Sequence, residues 1–274
     1  MTIDTKTRLY GVLGHPVAHS LSPAMHNRAF AETGYNGVYL AFDVPEIAAA
    51  IAAGRALNAH GWSVTIPHKV AVMPLLDEVD PVAAGIGAVN TVIQREGRLV
   101  GYNSDGIGAV SALLEKTAIQ GQTAAVIGAG GAARAIAFSL KQAGARVVVV
   151  NRSVPKGEGL ARDLGASFLP LAEFERPLYS ILIHTTPVGM TPHVDAMPVP
   201  ESVLEPGMVV MDIVYNPLET RLLKTARKRG CETVDGVAMF VYQGVFQFEL
   251  WTGRKAPAAV MRETVMKALE KRDD

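Results

Sequence analysis

Short apolar runs alternate with amphipathic stretches along nearly the whole chain, and glycine or proline marks most of the changes. Leu9 to Leu13 predicts a strand ending at Gly14. A helix follows with Ser22 as its cap, Pro23 in its first turn, and a stop at Gly34. Val38 to Phe42 predicts the next strand and Ile47 to Leu57 the next helix. A strand from Gly61 ends at Ile66-Pro67, before a new helix start. Asp77 to Pro81 reads as a polar turn. Val92-Ile93 and Leu99 to Tyr102 are strand segments on either side of a turn at Glu96-Gly97, and Ile107 to Lys116 is a helix joining two domains. Farther on, Tyr179 to Ile183, Val209 to Val214 and Thr233-Val234 predict strands, with a helix from Glu219 to Arg229. Val237 to Trp251 is an apolar helix with Gln243 and Gln247 on one face, and a buried glutamine there needs a partner, protein or ligand. Ala256 to Lys271 closes the chain as an amphipathic helix. The alternation predicts an α/β protein with two doubly wound parallel sheets.

One stretch organises the rest. Ala124 to Ile127 predicts a strand, Gly128-Ala129-Gly130-Gly131-Ala132-Ala133 a tight turn, Ala132 to Ala143 a helix, and Val147 to Val150 a second strand. This has the size of a parallel βαβ unit, about 30 residues. Gly128 allows the bend, Gly130 lets backbone approach a pyrophosphate, and Ala133 packs helix on strand. The helix start offers N–H groups and the positive end of its dipole to the phosphates. A structural turn without a ligand is the alternative reading.

The end of the second strand indicates which dinucleotide. An NAD site usually carries a carboxylate there for the ribose 2′-hydroxyl. This chain has Asn151-Arg152-Ser153, with Lys156 just beyond. Two cations and no carboxylate suit a 2′-phosphate, so the reading is NADP over NAD, against the alternative of plain surface charges.

Composition adds bounds. The chain has 274 residues, is 49% hydrophobic and 19% charged, and has zero formal net charge. It can bury a sizeable core, and nothing in its charge points to nucleic acid or an anionic membrane. No apolar run reaches membrane-span length, and the first residues lack the apolar core of a secretory signal, so the expectation is a cytoplasmic protein. Cys231 is the only cysteine, and His15, His19 and His26 lack metal-ligand spacing, so no metal is expected.

Polar residues cluster at predicted strand ends. Ser20 and Ser22 stand at a strand-to-helix mouth that could bind a carboxylate, although spacing alone favours a simple cap at Ser22. Lys69 follows a strand, where open α/β sheets place ligands; it is a proton donor or a solvated surface lysine. Asn90-Thr91 and Asn103 to Asp105 lie on neighbouring segments.

Taken together, these motifs resemble the shikimate dehydrogenase family over nearly the whole chain. The matching stretches are His19-Ser20-Leu21-Ser22-Pro23, Val64-Thr65-Ile66-Pro67-His68-Lys69, Gly87-Ala88-Val89-Asn90-Thr91 and Asn103-Ser104-Asp105-Gly106. The glycine loop, Asn151-Arg152-Ser153, Tyr215-Asn216-Pro217, Asp235-Gly236 and Gln243-Gly244 complete the set. The resemblance implies a substrate domain over residues 1–104 with C-terminal helices 238–274 returning to it, and a Rossmann NADP-binding domain over 105–237. It implies reversible, NADPH-dependent reduction of 3-dehydroshikimate to shikimate in a cleft between the domains. By motif, Ser20 and Ser22 would hold the substrate carboxylate with Tyr215, and Thr65, Asn90, Asp105 and Gln243 its hydroxyls. Lys69 and Asp105 would be the catalytic pair; the carboxylate would position the ammonium and also favour its charged form. Cofactor contacts would come from Gly128, Ala129, Gly130, Gly131, Ala132, Asn151, Arg152, Ser153, Lys156, Thr185, Gly236 and Met239.

Four departures stand out: Ser63 where the family usually has Asn, Ser104 where Thr is commoner, His184 where Asn is common close to the expected nicotinamide, and Ser153 where it has Thr, the hydroxyl kept. They bear on substrate range, so a quinate or amino-shikimate dehydrogenase is the rival within the family. A non-catalytic NADPH-binding protein is the rival outside it. A homodimer stays open.

Overall fold

The structure is a computed structural model that describes residues 3–175 and 179–273. It divides into two compact units, one running to Ser104 and resuming at Gln243, the other spanning Asp105–Tyr242. The outer bounds expected for the first domain, residues 1 and 274, lie outside the described residues.

The first unit holds β1 (Arg8–Gly14), α1 (Ser22–Glu32), β2 (Gly37–Asp43), α2 (Ile47–Ala56), β3 (Gly61–Val64), β4 (Glu78–Val79), α3 (Pro81–Ile86), β5 (Thr91–Arg95) and β6 (Arg98–Tyr102). Its sheet runs β2-β1-β3-β5-β6-β4. It is mixed, not all parallel as the alternation suggested: β3 and β6 both pair antiparallel with β5. The reason is local. Glu96 and Gly97 both have positive φ, the geometry of a two-residue hairpin turn, and so short a connection joins only antiparallel strands.

Two more local readings change. The turn at Asp77–Pro81 contains the short β4 and leads into α3, because Asp80 caps that helix by accepting from the N–H groups of Val82 and Ala83. After Pro67 the chain makes turns and a single 3₁₀ turn at Met73–Leu75 instead of starting a helix.

Both faces of the first sheet are covered. On one side Leu13, Ile51, Trp62, Val64, Val92 and Leu99 form an aliphatic core. Elsewhere in the unit, rings gather around Tyr10: Phe30, Tyr35, His60 and Trp251 all lie within 6.2 Å of it, centre to centre.

His26 on α1 is fully buried in this aromatic cluster, stacked 4.6 Å from Tyr39 and flanked by Phe30 and Trp251. Neither ring nitrogen has a hydrogen-bond partner. Burial holds its pKa down to about 3, with the nearby Gln247 amide opposing only in part. The unfolded chain titrates this histidine near 6.5. Stability is therefore whole above that value and falls as pH drops through the window toward 3, because the unfolded state binds the proton first. The expected cost between pH 7 and pH 5 is about 2 kcal/mol. Urea unfolding of the wild type and His26→Phe at both pH values checks this: the variant should lack that component, and equal pH dependence would refute it.

The second unit is β7 (Thr123–Ile127), α5 (Gly131–Gln142), β8 (Arg146–Asn151), α6 (Val154–Leu164), β9 (Ser167–Pro170), β10 (Ile181–His184), β11 (Val209–Asp212), α7 (Arg221–Lys228) and β12 (Glu232–Val234), preceded by α4 (Asp105–Leu114). The sheet order is β12-β11-β10-β7-β8-β9, all parallel. This is the doubly wound dinucleotide-binding order, with its switch point between β7 and β10. The strands are continuous apolar runs because helices cover both faces.

α8 (Gly236–Thr252) begins in the second unit and ends in the first, and α9 (Ala258–Asp273) packs on α1. No helix among the described residues is long and apolar enough to cross a membrane.

Candidate active site

In the first unit, main-chain bonds gather the polar segments at one edge of the sheet. Thr65 N–H donates to Leu13, Val64 to the Asn90 carbonyl, Val89 to the Lys69 carbonyl, and Asn90 to Tyr102, all at 2.8–3.0 Å. Thr65, Lys69, Asn90 and Ser104 are therefore fixed on neighbouring segments. Gly14 is part of the same packing, since a Cβ there would come within 2.4 Å of the Thr65 methyl.

Ser20 and Ser22 occupy the mouth of α1, but Ser22 does not cap it. The cap position belongs to Leu21, whose backbone is already helical, so Ser22 is the first helical residue. The Ser20 hydroxyl accepts the Ser22 N–H at 3.3 Å, and Ser22 itself is buried.

Asn90 and Gln243 are buried, and Lys69 is half-buried. Asn90 Oδ1 accepts from the Ser104 N–H at 2.7 Å and from the Thr91 hydroxyl at 2.8 Å. The amide is thereby held with its oxygen toward protein donors and can meet a ligand only through its N–H groups.

In the second unit, α4 opens on the buried Asp105 and is pressed against α5, where a Cβ on Gly106 would sit 2.0 Å from the Ser139 hydroxyl.

The glycine turn has the form a pyrophosphate needs. Gly128 has φ +125°, and a Cβ on it would stand 2.4 Å from Thr185 Oγ1 across the switch point. A Cβ on Gly130 or Gly131 would meet nothing within 4 Å, so backbone faces open space there. Gly130 caps α5 without a side-chain bond, and Gly131 is exposed with Ala132 half-buried, so the first-turn N–H groups point at that space. Ala129 is half-buried in the same turn, and the Thr185 hydroxyl donates to Ile127 at 2.7 Å, fixing β10 to β7 beside it. Arg134, one turn along, is held by Asp163 at 2.6 Å.

At the end of β8, Asn151 Nδ2 donates to the Ser153 carbonyl at 2.9 Å and shapes the turn into α6. Arg152 and Lys156 are exposed there. Gly236 starts α8 so close to β11 that a Cβ would lie 2.5 Å from the Val214 carbonyl. Met239, one turn later, is buried in the core of this unit, and Tyr215 rests on Phe240 at 5.3 Å.

His184, at the end of β10, is tied into a buried network. It is fully buried, with Nδ1 2.9 Å from Asp212 Oδ1 and Nε2 2.5 Å from Thr186 Oγ1. Asp212, also buried, further accepts from Thr220 at 2.6 Å and from the Val214 N–H at 3.0 Å. This network ties the ends of β10 and β11 together. Asp212, Thr186 and Thr220 carry no recognisable motif; a strand ending in a buried aspartate is their one sequence signal.

Among the described residues no group of three His, Cys, Asp or Glu side chains could hold a metal ion. The donors present, backbone N–H groups beside a glycine cradle with two cations at the neighbouring strand end, fit a phosphorylated dinucleotide.

Comparison with known proteins points to one family. Residues 12–92 match the shikimate dehydrogenase substrate binding domain, residues 111–213 the shikimate / quinate 5-dehydrogenase family, and residues 236–266 the shikimate 5′-dehydrogenase C-terminal domain. The shikimate dehydrogenase (NADP(+)) of Geobacillus kaustophilus is 50% identical over 96% of this chain and 99% of its own. A crystal structure of shikimate dehydrogenase in complex with NADP+ superposes with TM-score 0.94 at 42% identity, covering 98% of each chain. The shikimate 5-dehydrogenase of Thermus thermophilus in complex with NADP(H) and shikimate gives TM-score 0.90 at 39% identity, covering 96% of this chain and all of the other. With these family models matching most of the chain, and a relative 50% identical along nearly its whole length, the chain belongs to the shikimate dehydrogenase family.

Proposed function

We propose that this protein is an NADP-dependent oxidoreductase that interconverts 3-dehydroshikimate and shikimate, a step toward aromatic amino acids. One observation carries the reading: an open glycine cradle at the switch point of the second sheet, with Arg152 and Lys156 and no carboxylate at the end of β8.

NADPH, when bound, supplies the hydride. The chain's own residues hold and protonate. Gly128 to Ala132 take the pyrophosphate, Asn151, Arg152, Ser153 and Lys156 the 2′-phosphate, and Thr185, Gly236 and Met239 the nicotinamide end. Ser20, Ser22 and Tyr215 hold the substrate carboxylate, and Thr65, Asn90 and Gln243 its hydroxyls. Lys69 stabilises the oxygen that gains charge and gives it a proton, with Asp105 orienting the ring and the ammonium.

The test is steady-state NADPH oxidation with 3-dehydroshikimate, run beside NADH and, in reverse, with quinate. Fast turnover with NADPH and 3-dehydroshikimate supports the proposal; cofactor binding without turnover on these acids refutes it. Within that assay, Arg152→Ala is expected to raise the KM for NADPH by roughly 10- to 100-fold, the range for losing charge-assisted hydrogen bonds, and to leave that for NADH unchanged. An equal change for both cofactors would mean that Arg152 does not read the 2′-phosphate.

A further inference from the structure

Beneath the polar edge of the first unit runs a chain of buried hydrogen bonds. The Tyr39 hydroxyl is 2.6 Å from Ser63 Oγ, Ser63 Oγ is 2.9 Å from Gln247 Oε1, Gln247 Nε2 is 2.9 Å from Thr91 Oγ1, and Thr91 Oγ1 is 2.8 Å from Asn90 Oδ1. All five side chains are at least nine-tenths buried. Ser104 Oγ, 3.1 Å from both Thr91 Oγ1 and Asn90 Oδ1, closes the same end.

The direction of the chain follows from its fixed end. The Ser104 backbone N–H can only donate, so Asn90 Oδ1 accepts. Thr91 then spends its proton on Asn90 and must accept from Gln247 Nε2. Gln247 Oε1 must accept from Ser63, and Ser63 from Tyr39. Each hydroxyl thus uses one donor and one acceptor in a single sense. Burial raises the Tyr39 pKa, which keeps its proton in place at the head of the chain.

We propose that Tyr39, Ser63, Gln247 and Thr91 form a one-way positioning relay for Asn90. The relay locks Asn90 as a hydrogen-bond donor toward the ligand and seats α8 on β3 and β5, which sets Gln243, one turn before Gln247. The consequence for specificity is chemical. A donor-only Asn90 requires an oxygen acceptor on the ring, and it discriminates against an analogue carrying an ammonium at that position. The proposal rests on the substrate reading above.

Ser63 is the link to test, because it touches no group assigned to the substrate. Ser63→Ala breaks the relay. Ser63→Asn restores it, since an amide accepts from Tyr39 with its oxygen and donates to Gln247 with its nitrogen. The expected result is about a tenfold rise in the KM for 3-dehydroshikimate in Ser63→Ala, with kcat and NADPH affinity within twofold of wild type, and recovery of most of that KM in Ser63→Asn. Equal KM in wild type and Ser63→Ala would overturn the proposal, as would a loss in Ser63→Ala that Ser63→Asn does not recover. Neutron diffraction of the deuterium-exchanged protein reads the relay without any substrate. It should place the Thr91 deuteron toward Asn90 and the Ser63 deuteron toward Gln247; the opposite placement overturns the relay even if the enzyme is active. An inactive wild type with deuterons as expected would instead fault the substrate reading alone.

Discussion

Replacing Lys69 with alanine is expected to lower turnover of 3-dehydroshikimate by about 10²- to 10⁴-fold while NADPH binding stays unchanged. Hydride addition to a ketone leaves an alkoxide that needs a nearby donor and then a proton, and an ammonium supplies both. Lys69 is suited to this by placement. It follows β3, its carbonyl is pinned by Val89, and it is half-buried, so its range of positions is narrow. Two measurements together check the role: single-turnover rates with 3-dehydroshikimate, and NADPH affinity by fluorescence titration. Loss of both in equal measure would make Lys69 a structural residue. Lys69 is not among the residues proposed to hold the dinucleotide, so NADPH affinity is expected to stay when its ammonium is removed.

The largest effect on stability is expected at Asp212. Asp212→Ala removes the acceptor of three donors, His184 Nδ1, Thr220 Oγ1 and the Val214 N–H, in a site closed to water. Breaking one partner of a buried polar pair costs about 3–5 kcal/mol, because the groups left behind lose water and gain nothing. For a unit of this size that corresponds to a fall in Tm of roughly 10 °C or more. The same network fixes Thr186, the neighbour of Thr185, so NADPH affinity should weaken even where the protein stays folded. Thermal unfolding with and without NADPH checks both parts. A Tm within about 2–3 °C of wild type would show that water or another donor replaces the carboxylate, and the network would not be structural.

How much of this is legible in the sequence depends on the range of the interaction. The glycine turn, the two strands around it and the exposed cations at Arg152 and Lys156 lie within about 30 residues of one another, and their roles follow from local conformation, so the pattern alone announces them. The hairpin at Glu96-Gly97 reads as a turn, but the alternation of strands and helices around it hides its effect on strand direction, and a sheet expected to be parallel is mixed. The cap expected at Ser22 falls one residue earlier because the buried Leu21 takes helical torsions, a shift of the size that helix ends commonly show.

Residue type and spacing alone established the α/β class, the dinucleotide turn and the polar strand ends, since each rests on torsions and periodicities that neighbouring residues impose. The fate of the buried polar groups was decided elsewhere. Gln247 meets Ser63 across 184 positions and Thr91 across 156, and His184 meets Asp212 across 28. A buried donor or acceptor must find a partner, but which partner depends on how sheets and helices bring distant segments together, and no local pattern encodes that.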